Sequence, residues 1–545
     1  MVKSIKSTET DEPKFHVEAL EARSSSTQYV CVHDATHRCL VPLSECYGAT
    51  PTVIQTLVKQ GLPILRKDIA PLNKQIEALT HYKKRTIIEG PGWQPEGYAL
   101  ASGEVFGLRV KAPYDIAFKV DPRRGARAGT GENWFEAMKL CKGQNLLCFL
   151  IMATLTGPLL ALAGRTSNFG FEIVSPGGGG KTTVQQILAS VSGSPAPGSP
   201  ELLSMHTTVV GLGQLMPMFH DGFINLDEAN LCTPNAPLQR RLTDLIYIAF
   251  MLADGRPKVK HEQLDFEKSR FVFLLSTNDA ISSLIKQFGS SGGAEASLDR
   301  MMVLPIAKSR KYKIFDFVPD QFKSSSAFAK HLTELTQANY GHGFRKFVRH
   351  LAEARAADEK TLKAEIQGWI ERFGVEVKLD PDDGSAVRVV EAFGLVYAAG
   401  KLAKQFGVLP DSWKPLEAAV ICYTLNRQFV AAMPTPFDML RQYVSKKKKF
   451  IDVTVPQDMD DATYKGARGF IRKLKNGYVE ILIDEDRFDE EFGKVAKLML
   501  NDPKIREYMV HDARRHKVKR PVRTSKSRDR AICFRGKRYE FDGAF

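Results

Sequence analysis

Residues 170–183, Gly-Phe-Glu-Ile-Val-Ser-Pro-Gly-Gly-Gly-Gly-Lys-Thr-Thr, set four glycines directly ahead of a lysine and two hydroxyls. Consecutive glycines let backbone N–H groups curl around an anion with no Cβ in the way, and a helix N-terminus adds the positive end of its dipole. In such a loop Gly177, Gly178, Gly179 and Gly180 would cradle phosphates, with Thr183 just beyond. Lys181 would reach the β- and γ-phosphates of ATP, and the Thr182 hydroxyl would ligate Mg2+. The usual pattern G-x-x-x-x-G-K-[ST] opens on glycine, whereas Ser175 stands in that place here. A glycine linker followed by a chance Lys-Thr is the alternative. It is opposed by the flanks: Phe171, Ile173 and Val174 read as a short buried strand, and Val184 to Ser190 as a helix.

Three further stretches would complete that chemistry. An apolar run from His220 ends in Asp227-Glu228, about 45 residues beyond the loop. Asp227 would hold Mg2+ through its waters, and Glu228 would polarise the attacking water. Alone, Asp-Glu after a strand is an ordinary solvated strand end; its distance from the phosphate loop gives it meaning. Arg270 to Asn278 reads as another strand whose terminal Asn278 would contact the γ-phosphate and lytic water. Arg300 directly precedes the apolar run Met301 to Ile306 and would reach a neighbouring subunit's nucleotide, a structural salt bridge being the alternative. Between these strands Gly255 to Phe266 could form a hairpin that offers Lys258 and Lys260 to nucleic acid, and an ordinary surface loop fits equally well.

The elements that must hold these residues belong to a long chain. At 545 residues, 43% of them hydrophobic, three or four domains follow from a prior of about 150 residues each. The net charge of +15 is concentrated at one end: between Pro436 and Phe545 there are 27 Lys and Arg against 18 Asp and Glu. That favours a polyanionic partner, DNA, over a merely soluble surface. Eight scattered cysteines suit reduced thiols and a cytoplasmic protein. Cys31-Val-His33 to His37-Arg-Cys39 carries zinc-ligand types, but the spacing is not standard and the flanks read as a β-hairpin. The polar start, Met1 to Arg23, is no signal peptide. The apolar run Leu146 to Ala163, broken by Gly157-Pro158, reads as a buried helix pair and not a membrane span.

Taken in order, residues 1–24 read as a disordered tail and 25–150 as an N-terminal α+β domain. Residues 151–315 read as an α/β ATPase core, 316–432 as a helical lid, and 433–545 as a basic, winged-helix-like domain of helices with a terminal hairpin. Arg388, opening one lid helix, is a candidate second sensor of nucleotide.

The order and spacing of Gly61-Leu-Pro-Ile64, Gly92-Trp93, Gly129 to Trp134, Gly157-Pro158, Gly180 to Thr183, Leu226-Asp-Glu228, Leu275-Ser-Thr277, Arg300, Asn339-Tyr-Gly341 and Gly400 to Ala403 resemble the bacterial and phage domain-of-unknown-function 927 family. The resemblance runs over nearly the whole chain. It implies a P-loop AAA+ core, related to primase-associated and minichromosome-maintenance-like helicases of mobile elements, working as a homo-hexameric ring around DNA. The departures are Ser175-Pro176, Asn278-Asp279 where the family often has Gly-Glu, and the absence of a glutamate near residues 208–214. The function implied is an ATP-dependent, Mg2+-dependent DNA helicase or translocase of a phage or mobile element, with primase or other replication proteins as further partners. The alternative is a nucleotide-switched DNA-binding initiator, scaffold or defence protein that does not unwind.

Overall fold

The computed structural model describes residues 14–46, 52–107, 113–204, 208–227, 238–256, 268–283, 300–445, 450–493, 496–510, 517–519, 522–523 and 530–541. Glu228, Lys258 and Lys260 lie outside these residues.

The N-terminal part is a five-stranded sheet built from β1 (His16–Ala22), β2 (Gln28–His33), β3 (Arg38–Pro42), β4 (Lys83–Ile88) and β8 (Tyr114–Ile116), in the order β3-β2-β1-β4-β8. Helices α1 (Val53–Lys59) and α2 (Ile69–Glu77) connect β3 to β4. The hairpin read from residues 29–40 is β2–β3, antiparallel from Tyr29↔Pro42 to His33↔Arg38. Because successive strand residues face opposite ways, Cys31 joins Leu20 and Leu40 on one face while Cys39 joins Leu57 and Ile76 on the other. The two thiols therefore cannot share an ion. A small three-stranded sheet, β5 (Gly92–Trp93), β6 (Tyr98–Ala99) and β7 (Val105–Phe106), follows β4.

Helices α3 (Gly131–Leu140), α4 (Asn145–Thr154) and α5 (Gly157–Leu162) lead to the central sheet. Its strands are β9 (Phe169–Val174), β10 (Leu203–Ser204), β11 (Gly222–Asp227), β12 (Phe271–Thr277) and β13 (Met301–Pro305), ordered β10-β11-β12-β9-β13. Every pairing is parallel. A parallel sheet must be covered on both faces, and β12 shows it by alternation. Val272 and Leu274 enter the core shared with α6 (Lys181–Ser192), whereas Phe271, Phe273 and Leu275 face α7 (Val209–Leu215) and α8 (Leu238–Asp254).

Four long helices follow β13: α9 (Ser325–Ala338), α10 (Gly343–Glu376), α11 (Gly384–Gln405) and α12 (Pro415–Ala432). In α10, Asp358 leaves helical geometry (φ −156°, ψ 92°) and caps the next stretch by accepting from Thr361 N at 3.0 Å. Helices α11 and α12 pack on α4, and α12 also packs on β13. The rings of Phe149 (α4), Phe171 (β9) and Phe393 (α11) meet at centroid distances of 5.0, 5.1 and 5.4 Å. One apolar core thus runs through positions 150 and 315. It also accounts for the 146–163 run: α4 is enclosed by α6, α11, α12 and β11, so every one of its residues from Leu146 to Thr154 is buried. Among the described residues no helix is long and apolar enough to cross a membrane.

The C-terminal part departs from helices plus one hairpin. It has a five-stranded sheet, β14 (Phe450–Asp452), β15 (Gly469–Lys473), β16 (Tyr478–Asp484), β17 (Lys517–Lys519) and β18 (Arg530–Lys537), in the order β14-β15-β16-β18-β17. One face packs on α13 (Pro436–Ser445), α15 (Glu485–Phe492), α16 (Ala496–Asn501) and α17 (Pro503–Tyr508); α14 (Asp461–Gly466) precedes β15. Charged residues hide the extra strands in sequence. In β15, Arg472 and Lys473 interrupt the apolar pattern, and cross-strand carboxylates compensate them: Arg472–Glu480 at 3.4 Å and Lys473–Asp452 at 2.8 Å.

Candidate functional site

The C-terminal ends of β9, β11 and β12 lie side by side, since β12 inserts between the other two. Residues 175–180 leave β9 and turn into α6. Gly180, at φ 91°, is left-handed and is the N-cap of α6, a geometry that costs a residue with Cβ about 1–2 kcal/mol. Ser175, where the motif has glycine, is buried and folds under the loop, donating to Pro176 O at 3.1 Å. A Cβ at residue 179 would fall 1.9 Å from its Oγ, so the serine is accommodated because 179 is glycine. Helix α6 buries Val184, Ile187, Leu188 and Val191, the i, i+3, i+4, i+7 pattern of a one-sided helix. Two buried amide bonds then lock it to β11: Gln185 Nε2 to Leu226 O at 2.7 Å and Asn225 Nδ2 to Gln185 O at 2.9 Å.

The chemistry-bearing side chains converge on this edge. Lys181 Nζ donates to Ser175 O and, at 2.8 Å, to Asn278 Oδ1. Ser276 Oγ donates to Asp227 Oδ1 at 2.9 Å, which orients the carboxylate from the neighbouring strand. A cavity of about 860 Å³ opens above them, lined by Gly177 to Thr183, Asp227, Ser276 and Asn278. The hydroxyl of Thr182 and the carboxylate of Asp227, both in its lining, are hard oxygen donors of the kind Mg2+ takes.

One buried group beneath the site escapes the sequence reading. Glu172 in β9 is fully buried on the α8 side of the sheet, where Oε1 accepts from Thr277 Oγ1 at 2.5 Å and from Ile281 N at 3.0 Å. The carboxyl thereby clasps the turn that carries Asn278. Burial raises its pKa from 4.5 to about 7, and the two hydrogen bonds offset part of that rise.

Of the residues read from sequence, Gly177 to Gly180, Lys181, Thr182, Thr183, Asp227 and Asn278 share this cavity. Arg300 does not. Gly170 N donates to its carbonyl at 2.8 Å, and Met301 pairs with Gly170, so Arg300 stands at the N-terminal edge of the sheet, opposite the phosphate loop. Its Nε is buried without a hydrogen-bond partner, and among the described residues no carboxylate pairs with it. Arg388 lies in the second turn of α11, which packs on α10, α12 and α4, and it does not line the cavity. Besides Lys181, the cations that do are Lys313 and Lys330. Lys313 has left-handed backbone (φ 58°), and the next residue, Ile314, closes on Gly180. Helix α9 packs on α6 and presents Ser326, Lys330, Thr333, Glu334 and Gln337 to the cavity while burying Phe328 and Leu332.

Among solved structures, the chain is similar to one described as "SCCmec type IV Cch - active helicase", with a TM-score of 0.63 and 15% identity over 96% of this chain and 93% of that one. At that identity the likeness is one of fold. No curated protein matches the sequence. A family model, the domain of unknown function DUF927, matches residues 24–268, a span that holds the phosphate loop and Asp227 but ends before Asn278 and Arg300. Over those residues the chain is similar to the DUF927 family.

Proposed function

We propose that the chain is an ATP-dependent DNA helicase or translocase of a phage or mobile element. The observation that carries this reading is the convergence of the phosphate loop, Asp227 and Asn278 on one cavity at the ends of adjacent parallel strands. The loop amides and Lys181 bind the triphosphate, and Asn278 holds both the Lys181 ammonium and the γ-phosphate end in register. Thr182 and Asp227 hold Mg2+, which supplies charge neutralisation on the β- and γ-phosphates. Glu228, next along the chain, takes a proton from the attacking water.

Arg300 gives the reading its oligomeric form. A guanidinium that pairs with no carboxylate among the described residues, at the sheet edge opposite its own phosphate loop, is of use to ATP bound in a neighbouring copy, where it stabilises transition-state charge. Repetition of that contact, head to tail, closes a ring, in this reading a hexamer around DNA. Lys258 and Lys260 are assigned to the DNA path, and primase or other replication proteins are the further partners. An SCCmec helicase as a fold neighbour supports the DNA substrate.

Strand displacement tests this directly. With ATP and Mg2+, wild-type chain is expected to separate a forked duplex, and Lys181→Ala to leave it paired. A wild-type protein that binds the fork and hydrolyses ATP without separating it would favour a nucleotide-switched scaffold.

A further inference from the structure

The C-terminal sheet carries a surface that the ATPase site does not use. In the antiparallel trio β15, β16 and β18, residues directly opposite one another share a face. On one face the row Phe470, Leu482, Cys533 is covered by an apolar cluster that includes Val453, Tyr464 and Val522. Two residues along, the row becomes Arg472, Glu480, Arg535: the buried Glu480 accepts from Arg535 Nη2 at 2.6 Å and from Arg472 Nη1 at 3.4 Å. One further step, at the open end, Tyr478 stands opposite Lys537. The face therefore passes from apolar packing to two guanidiniums sharing one carboxylate, and then to an exposed ring beside an amine.

The chain around this end adds to it. The β15–β16 turn runs through Lys475, Asn476 and Gly477, with left-handed φ of 61° at Asn476 and 75° at Gly477, and Lys475 is exposed. After β18 a single helical turn, Arg538–Phe541, is anchored by buried Phe541. It leaves Tyr539 69% exposed, and Lys537 Nζ lies 5.8 Å from the Tyr539 ring centroid. Glu540, the one acid of that turn, accepts from Lys537 N. Among the described residues no carboxylate forms an ion pair with Lys475, Lys537 or Arg538.

We propose that this open end of the sheet binds single-stranded DNA. The inference rests on the reading of the chain as a DNA motor and adds the place of contact. Phosphates meet Lys475, Lys537, Arg538 and Arg535, the last with a side chain 45% exposed. Unstacked bases meet the rings of Tyr478 and Tyr539, since every base has a π-face for an exposed aromatic. A duplex keeps its bases stacked inside and offers these two rings nothing, which makes the single strand the occupant. Recognition of this kind is tolerant of sequence and steep in salt.

The test is fluorescence anisotropy of the full-length chain with a labelled oligo-dT, an RNA of equal length, and a duplex, each across a range of salt. Tyr478→Ala with Tyr539→Ala is expected to weaken oligo-dT binding at least about tenfold, whereas Tyr478→Phe with Tyr539→Phe, which keeps both rings, binds as wild type does. Lys475→Ala with Lys537→Ala is expected to lower the salt slope by about 1.4, at about 0.7 per phosphate contact. Oligo-dT binding by wild type that both alanine pairs leave unchanged overturns this surface and leaves the motor reading standing. Ring-dependent binding that prefers RNA or duplex also overturns it. Wild-type chain that binds no DNA at all overturns both readings together.

Discussion

Glu172→Gln isolates a buried carboxyl beneath the candidate nucleotide cavity. In the folded chain desolvation raises the Glu172 pKa from 4.5 to about 7, and the bonds from Thr277 and Ile281 only partly oppose that. Between those two values the folded state holds a proton that the unfolded state has released. Stability must then fall as pH rises from about 4.5 to about 7, and stay level above. Each pH unit in that window is worth about 1.4 kcal/mol, so the total loss is about 3 kcal/mol. Glutamine keeps an acceptor oxygen for Thr277 and Ile281 and removes the titration. Thermal unfolding of wild type and variant at pH 5 and pH 8, in buffers of equal ionic strength, is the assay. The variant is expected to gain on wild type between the two, by a melting difference of roughly 10 °C if the central sheet unfolds as a unit of about 200 residues. Parallel profiles, or a wild type that gains on the variant as pH rises, would refute the reasoning.

Three other perturbations probe the cavity and the arginine proposed to act on a neighbouring copy. Asn278→Ala removes the acceptor that holds Lys181 Nζ at 2.8 Å and is expected to lower kcat by about a hundredfold, with KM for ATP nearly unchanged, in steady-state hydrolysis. Lys330→Ala deletes a cation that α9 brings to the cavity and should weaken ATP binding about tenfold, the equivalent of about 1.4 kcal/mol. Arg388→Ala should leave that affinity alone, and titration with a fluorescent ATP analogue separates the two. Arg300→Ala and Lys181→Ala are each expected to be inactive, yet a mixture of the two proteins should regain hydrolysis, because hybrid interfaces join an intact pocket to an intact arginine. A dead mixture would assign Arg300 to its own subunit's fold.

The parts of the site legible in sequence were those fixed by local chemistry. Four glycines before Lys181, flanked by a strand and a helix, read as a phosphate loop from sequence alone, and Asp227 and Asn278 stand out as polar ends of apolar strands. Lys330 was not legible. The stripe Ser326, Lys330, Thr333, Glu334, Gln337 has helical spacing, but such a stripe ordinarily faces water, and only the packing of α9 on α6 turns it toward the cavity. Glu172 was hidden for the opposite reason. One acid inside Phe-Gly-Phe-Glu-Ile-Val looks like an interruption, and its role depends on β12 lying beside β9, a pairing between residues about a hundred positions apart. In the C-terminal part, short strands laced with Arg and Lys suppressed the alternation that would have shown a five-stranded sheet. Arg388 is exposed near the start of α11 and does not line the cavity.

ATP hydrolysis measured with and without DNA tests the central claim most directly. The account predicts Mg2+-dependent hydrolysis that DNA stimulates and that Lys181→Ala and Glu228→Gln each reduce at least about a hundredfold, with both variants folded. Hydrolysis at the wild-type rate in both would contradict it.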